Sequence, residues 1–155
     1  MAPASRLDPA MPERVVALSR ALYGDEAPDI VFHPQCFLSW GHFAGGDSAR
    51  AQAFLDIAND ESFDALWFAR GGYGSNRIAP DVLSALKPAA RNKTYMGYSD
   101  TGFLLAGLYK AGFAHLAHGP VIADLNRPGG EEAITRGLRY LFERDAAALE
   151  PSVSN

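Results

Sequence analysis

The sequence contains a single cysteine and no excess of basic residues, and both features exclude classes of function. One cysteine, Cys36, in 155 residues excludes an internal disulfide framework and a zinc site built from cysteines. The net charge of −4 leaves no basic field that would attract the phosphate backbone of nucleic acid. We therefore expect neither redox chemistry nor a nucleic-acid partner.

Long apolar runs are also missing from the sequence. No stretch of about 18 apolar residues could span a bilayer, and residues 1–14 lack the basic and apolar regions of a secretory signal. We therefore expect a cytoplasmic protein with no membrane partner. Hydrophobic residues make up 48% of the chain, enough for one ordinary core, which predicts one soluble globular domain.

Short apolar runs alternate with helical patterns along the chain, and this alternation predicts an α/β fold. We expect a mainly parallel sheet with helices on both faces, a Rossmann-like three-layer arrangement. Leu66, Trp67 and Phe68 are expected in one buried strand, with Tyr95 and Met96 in its neighbour. The predicted strands cover 29–33, 64–69, 94–98 and 114–118, and the predicted helices begin near Pro9, Asp47, Ser99 and Glu131 and end near 24, 58, 112 and 146.

Both ends of the chain depart from this pattern. Only "MAPAS" precedes the first helix, where a sheet of this class would have its first strand, so we expect these residues to be the end of a strand and its turn. Residues 149–155 turn to proline and serine, which is typical of a linker or a frayed terminus. The α/β domain is thus predicted to cover 1–148 and to belong to a longer protein.

The run "RGGYGS" at 70–75 follows a predicted strand, at the edge where open parallel sheets bind ligands. It does not fit the dinucleotide fingerprint, because Arg77 stands where the third glycine belongs, and no Gly-Lys-Ser/Thr follows for a Walker loop. One interpretation is a tight turn that needs positive φ, with Arg70 and Arg77 as solvated charges. The other is a turn whose glycines let backbone N–H groups approach an anion or oxyanion.

The run "GYSD" at 97–100 raises a similar choice, because Ser99 falls where a strand becomes a helix. Ser99 can be an ordinary helix N-cap, with Asp100 favoured by the helix dipole. The same geometry also lifts a hydroxyl above the sheet edge, as in a nucleophile elbow. The hydrolase pattern G-x-S-x-G is not met, since Thr101 stands where its second glycine belongs.

Taken together, these turns resemble one family. The stretch from "FAGGDSARAQAFLDIAND" through "ARGGYGS" and "MGYSDTGFLLAGLYKAG" to "HGPV", about Phe43 to Val121, is similar to the amino-terminal half of the serine LD-carboxypeptidases. This family includes murein tetrapeptide carboxypeptidases and microcin immunity peptidases. The order and spacing of the capped helix, the two turns and the "HGP" turn carry the resemblance.

The resemblance implies a role for each residue of the two turns. Ser99 matches the family's nucleophile, and the backbone N–H of Asp100, with that of Gly71 or Gly72, matches its oxyanion hole. Arg70, Tyr73 and Gly74 are expected to contact substrate. The implied reaction is hydrolysis of the amide to a terminal D-residue, typically D-Ala of a murein tetrapeptide recycled in the cytoplasm, with no metal or cofactor.

The sequence departs from the family in one respect: the glutamate and histidine of its triad belong to a second, carboxy-terminal domain, and no counterpart is visible here. Glu143 and Glu150 are interpreted as solvated helix charges. We expect the chain alone to be inactive, because a serine without a base is a weak nucleophile. The four histidines, which are interpreted as strand-end or loop residues, are His33, His42, His115 and His118.

Other functions stay open at this stage. A microcin-type peptidase would share the same nucleophile domain, and a non-catalytic domain could use the glycine turn to bind a carboxylate or phosphate. A half-enzyme that assembles with a separately encoded second domain is a further possibility. The expected partners are a murein peptide or another small peptide, the second domain that supplies glutamate and histidine, and a second copy in a homodimer of the full-length protein.

Overall fold

The computed structural model describes residues 1–149 and has an α/β fold around a three-stranded parallel sheet. Its strands are β1 (Ala65–Trp67), β2 (Thr94–Gly97) and β3 (Leu116–His118), in the order β1-β2-β3. Leu66 pairs with Tyr95, and Met96 pairs with Ala117. The strands predicted at 64–69, 94–98 and 114–118 are therefore confirmed, and the first two are parallel neighbours.

Helices cover both faces of this sheet, as predicted. Leu66 and Tyr95 face one buried cluster, to which α2, α3 and α4 contribute, whereas Trp67 faces a second cluster formed with α1 and α5. Successive residues of a strand point to opposite faces, so one short strand serves both clusters. The helices are α1 (Met11–Tyr23), α2 (Asp47–Ala58), α3 (Ser75–Ser84), α4 (Gly102–Lys110) and α5 (Gly130–Glu143).

The ends of α1 follow from its sequence. Pro12 lies in its first turn, where a missing N–H costs no helical hydrogen bond, and Gly24 ends it with a φ of 59°. Tyr23, near that end, donates a hydrogen bond to Glu143 of α5 over 2.9 Å. Burial is the largest cause of a raised pKa at Tyr23, and the bond to the Glu143 carboxylate adds to it. Together they raise the pKa to about 12. None of the helices within 1–149 has both the length and the apolar character needed to cross a membrane.

The predicted strand at 29–33 is wrong. These residues form an irregular segment in which Val31 is 63% exposed. Ile30 and Phe32 pack against the second cluster and account for the apolar alternation that suggested a strand. A strand also needs a neighbouring backbone to pair with, and local alternation cannot supply one.

Three predicted helices also need correction. Asp47 begins α2 but does not cap it, because Gly46 is the N-cap and no side chain bonds the free N–H groups there. Ser99–Thr101 form a single 3-10 turn, and the α-helix starts only at Gly102. The last helix ends at Glu143, three residues before the predicted end, and α3 was not predicted at all.

Residues 1–5 form no regular strand, although they lie alongside the end of β1. Ala69 donates its N–H to the carbonyl of Met1 over 2.8 Å, and Ser5 donates to Gly71 over 3.2 Å. The side-chain amide of Gln35 fixes this segment from the other side through the carbonyl of Ala2. The segment is therefore packed against the glycine turn, as expected for the end of a strand. Of the predicted linker 149–155, residues 150–155 lie outside the described part of the chain.

Candidate active site

The glycine turn directly follows β1 and ends where α3 begins. Gly72 has a φ of 128°, a conformation that side chains rarely adopt. A Cβ atom at Gly72 would also collide with the hydroxyl of Ser5. Gly74, with a φ of 125°, is the N-cap residue of α3. The turn thus needs glycine for both its backbone conformation and its close packing.

Ser99 occupies the corresponding place after β2. It is exposed and has a φ of 61°, one of two positive values among the non-glycine residues of 1–149. A non-glycine residue in this left-handed region costs roughly 1–3 kcal/mol and persists only where the surroundings fix it. The 3-10 turn Ser99–Thr101 begins at this residue, and no side chain caps its first N–H groups.

The two turns are in contact. A methyl group added to Gly71 would lie 3.5 Å from the Cβ of Ser99 and 3.7 Å from the backbone nitrogen of Asp100. Because the carboxyl ends of neighbouring parallel strands meet at one sheet edge, this adjacency follows from the pairing of β1 with β2. Ser99, the backbone nitrogen of Asp100 and Gly71, the residues expected to supply the nucleophile and the oxyanion hole, are therefore neighbours.

The carboxylate of Asp100 locks the two turns together. Its two oxygens accept the N–H groups of Gly74, over 3.1 Å, and of Ser75, over 2.9 Å, and the hydroxyl of Ser75 donates to the Asp100 carbonyl. Asp100 is 8% exposed. Sequence reasoning assigned a role only to the backbone of Asp100. The available signal for its side chain was an aspartate at the end of the strand next to the glycine turn, whose N–H groups need acceptors.

Ser99, Gly71 and Gly72 line one cavity of about 470 Å³. Its wall includes two arginines, Arg70 and Arg127, and two aspartates, Asp8 and Asp124, so the cavity is largely polar. The remaining residues in contact with it are Ser5, Leu7, Met11, Tyr73, Tyr98, Val121, Ala123 and Asn126. A small peptide with a charged end could be held in a cavity of this size and polarity.

The residues expected to bind substrate occupy different parts of this site. Arg70 is exposed and donates to the carbonyl of Arg6 over 3.0 Å. Tyr73 is 80% exposed and lines the cavity. Gly74 is buried against the ring of Phe43 and does not line the cavity. The arrangement thus brings Arg70 and Tyr73 to the cavity but assigns Gly74 to the support beneath it.

A hydrogen-bonded group that sequence reasoning missed borders Ser99. The hydroxyl of Tyr98 donates to Asp124 over 2.8 Å and accepts from Arg127 over 2.6 Å. Asp124 and Arg127 are also an ion pair with a separation of 3.2 Å. Burial and then the hydrogen bond to Asp124 raise the pKa of Tyr98 above its usual value. The only sequence signal was an aspartate and an arginine shortly after the "HGPV" turn.

A buried arginine supports the glycine turn from below. Arg50 of α2 is fully buried and donates to the carbonyls of Gly74, over 2.8 Å, of Gly45, over 3.3 Å, and of Pro3. Its charge is paired with Asp47. Desolvation lowers the pKa of Arg50, although the neighbouring carboxylate opposes this effect. Arg50 therefore joins α2, the first residues of the chain and the glycine turn.

Within residues 1–149, none of the histidines lines the Ser99 cavity. His33 lies 3.3 Å from the carboxylate of Asp56, and His118 packs edge-on against Tyr98 with 6.0 Å between ring centroids. The same residues contain no group of three His, Cys, Asp or Glu side chains that could hold a metal ion. The remaining histidines are His42, whose ring contacts that of Phe43 at a tilt of 39°, and the exposed His115.

The glutamates proposed as solvated charges lie far along the chain from the serine. Glu143 is exposed at the end of α5, where it accepts the bond from Tyr23, and Glu150 lies outside the described residues. A larger cavity, of about 610 Å³, lies beside β1 and α5 and does not include Ser99. The described part of the chain therefore places Ser99 and the glycine turn in a cavity that none of its histidines lines.

Comparison with known proteins gives one family. The model of the LD-carboxypeptidase N-terminal domain matches residues 1–119. A Rickettsia conorii protein that bears the provisional name of a carboxypeptidase is 41% identical over 85 residues, which are 55% of this chain and 27% of that protein. The murein tetrapeptide carboxypeptidase of Pseudomonas aeruginosa is 29% identical over 84 residues, 54% of this chain and 27% of the relative.

A solved structure has the same fold. The crystal structure of a muramoyltetrapeptide carboxypeptidase from Oxalobacter formigenes superposes with a TM-score of 0.69 at 22% identity, and the match covers 92% of this chain and 47% of that one. The chain thus spans about half the length of this structure, and the aligned regions cover about a quarter of the two curated relatives. Since the family model matches 119 of the 155 residues, the chain belongs to the LD-carboxypeptidase family and represents its amino-terminal domain.

Proposed function

We propose that the chain is the nucleophile domain of a serine LD-carboxypeptidase, which hydrolyses the amide to the terminal D-Ala of a murein tetrapeptide during cytoplasmic recycling of the cell wall. One observation carries the proposal. Ser99, in a strained conformation at a strand end, lies against the glycine turn at the edge of a polar cavity. The names of two relatives support the murein substrate.

In the proposed reaction, the hydroxyl of Ser99 attacks the carbonyl carbon of the scissile amide. Negative charge then develops on the carbonyl oxygen, where the N–H groups of Asp100 and of Gly71 or Gly72 would stabilise it. Each such donor contributes about 3–4 kcal/mol to the transition state in other proteases. The C–N bond of the amide then breaks, and the proton taken from the Ser99 hydroxyl passes to the departing amine, so that D-Ala leaves and an acyl-enzyme remains. Water hydrolyses this ester and regenerates Ser99.

A base must remove the proton of the Ser99 hydroxyl. Because no histidine of residues 1–149 lines the cavity, we propose that a second domain supplies a histidine and its glutamate partner. Loss of one triad member typically lowers the rate by about 10⁴-fold or more. The chain alone is therefore expected to release no D-Ala above a blank.

The test reconstitutes the second domain. The chain would be joined to the carboxy-terminal half of the Pseudomonas aeruginosa relative, and D-Ala release from a murein tetrapeptide would be measured. We expect release that Ser99→Ala abolishes and that Ser48→Ala, at an exposed serine of α2, leaves unchanged. Equal activity of the Ser99→Ala and Ser48→Ala fusions would refute the nucleophile assignment.

A second candidate is a non-catalytic domain that binds a carboxylate. It is favoured by two arginines in the wall of a cavity that no histidine of the described residues lines. A fluorophosphonate probe separates the two candidates in the fusion, because it labels only an activated serine. Labelling that Ser99→Ala removes supports the peptidase, whereas peptide binding without labelling supports the binding domain.

A further inference from the structure

The left-handed conformation of Ser99 must be maintained from both sides of the residue. On its carboxyl side, Asp100 bonds the glycine turn, and the hydroxyl of Thr101 donates to the carbonyl of Tyr98 over 2.9 Å. The first contact fixes the residue after Ser99, and the second holds the carbonyl of Tyr98, the residue before it. Neither contact holds the side chain of Tyr98, so the residue before the serine needs a further support.

The side chain of Tyr98 supplies that support. Its backbone is extended, with a φ of −150° and a ψ of −176°, and its ring projects from the end of β2 to the segment after β3. There its hydroxyl donates to Asp124 and accepts from Arg127. The residue before the serine is thus attached to a different part of the sheet edge from the residue after it.

Asp124 is itself firmly held. Its second carboxylate oxygen accepts the N–H of Val121 over 3.0 Å, and the residue is only 7% exposed. Arg127 balances its charge. Since both carboxylate oxygens are used and the group is buried, its position is fixed relative to β3, and the Tyr98 hydroxyl has little freedom.

We infer that Asp124 is a positioning residue that acts through Tyr98 to keep Ser99 in its left-handed conformation. The inference about conformation stands on these contacts alone, whereas its effect on hydrolysis rests on the proposed function. Loss of the Tyr98 hydroxyl would leave the ring packed in place but release it from Asp124. Ser99 would then sample negative φ values, at which its hydroxyl is displaced from the oxyanion donors.

The conformational part is tested on the 155-residue chain by NMR. At positive φ the amide and α protons of one residue approach more closely than at negative φ, and their NOE is correspondingly strong. We expect the intensity of this NOE at Ser99 to fall clearly in Tyr98→Phe and in Asp124→Asn. It should keep its intensity in Tyr95→Phe, a matched control that removes the hydroxyl of a buried tyrosine of β2, which is bonded to the carbonyl of Ala90.

The kinetic part uses the fusion described above. Tyr98→Phe should lower kcat about 10- to 100-fold, as expected for a misplaced reacting group, while KM changes less than about twofold. Tyr95→Phe should lower the free energy of unfolding without changing kcat. An unchanged Ser99 NOE in both Tyr98→Phe and Asp124→Asn would overturn the inference. A fusion without Ser99-dependent release would instead refute the proposed function and leave the NMR result valid.

Discussion

Asp100 holds Ser75 at two points: its carboxylate accepts the backbone N–H of Ser75 over 2.9 Å, and its carbonyl accepts the Ser75 hydroxyl. Ser75 is the first residue of α3, whereas Asp100 follows Ser99 at the end of the neighbouring strand. An aspartate side chain therefore compensates the free N–H groups at the start of one helix from a different element, as a capping residue would.

The first prediction concerns this link. Asp100→Asn keeps one acceptor oxygen but leaves the N–H of either Gly74 or Ser75 without a partner in a buried site. We expect the free energy of unfolding, measured with urea, to fall by about 2 kcal/mol. Asp81→Asn, at an exposed aspartate of α3, is the control and should change it little. Equal stability of the two variants would show that the link contributes nothing to stability.

The second prediction compares two adjacent glycines. Gly72→Ala places a side chain at positive φ and against Ser5, so the free energy of unfolding should fall by about 1–3 kcal/mol. Gly71→Ala should be tolerated, because its methyl group would make only ordinary contacts with Ser99. Both are measured by urea unfolding.

A related kinetic prediction uses the fusion. Gly72→Val should lower kcat by more than its loss of stability explains. If activity is retained while stability falls, the role of the turn is structural only.

The third prediction concerns the buried arginine. Arg50→Met fills similar space but leaves buried carbonyls of Pro3 and Gly74 without donors. We expect a loss of about 3–5 kcal/mol, because removing one member of a buried charged network leaves the others uncompensated. Thermal and urea unfolding would measure it. Arg20→Met, at an exposed arginine of α1, serves as the control. A loss no greater than the control's would contradict the role assigned to Arg50.

The fourth prediction is a dependence of stability on pH. The hydrogen bond from Arg77, and with it the charge of Arg50, lowers the pKa of Asp47 below its ordinary 3.8. A carboxyl group whose pKa is lowered by folding stabilises the protein above its unfolded pKa, and the effect is lost as the pH falls through the folded pKa. Asp47→Asn should therefore be less stable than the parent near neutral pH.

This difference should remain constant down to about pH 5 and shrink once the pH falls below 3.8. Urea unfolding of the parent and the variant at a series of pH values measures it. Asp81→Asn, at an exposed aspartate of α3, is a control for the loss of one charge. A difference between the parent and Asp47→Asn that is independent of pH would show that the ion pair is not its source.

Local sequence was sufficient to predict those strands whose apolar residues are themselves buried in the core. The runs around Leu66 and Tyr95 are short and apolar and contribute side chains to the buried cluster, which is typical of strands in a sheet covered by helices. The segment 29–33 has a similar composition, but whether it forms a strand depends on a partner strand that its own residues do not specify. α3 was missed because Pro80 lies within it, and proline normally interrupts a helix.

The same distinction applies to the candidate site. The adjacency of Ser99 and Gly71 was predictable, because each follows one of two neighbouring parallel strands. The group of Tyr98, Asp124 and Arg127 was not, since it depends on the path of the chain between β3 and α5. Asp47 was expected to cap its own helix; instead it pairs with Arg77, 30 residues away in sequence, and no local pattern records that contact.

The contacts of Arg50 also constrain the order of events in folding. Its partners Pro3 and Gly74 lie 47 and 24 residues away along the chain, so the arginine is satisfied only after long loops have closed. Until these loops close, the charge of Arg50 is better solvated by water than by α2 alone. We therefore expect the glycine turn and the first residues of the chain to become ordered together, with the slower kinetics of non-local contacts rather than those of a single helix.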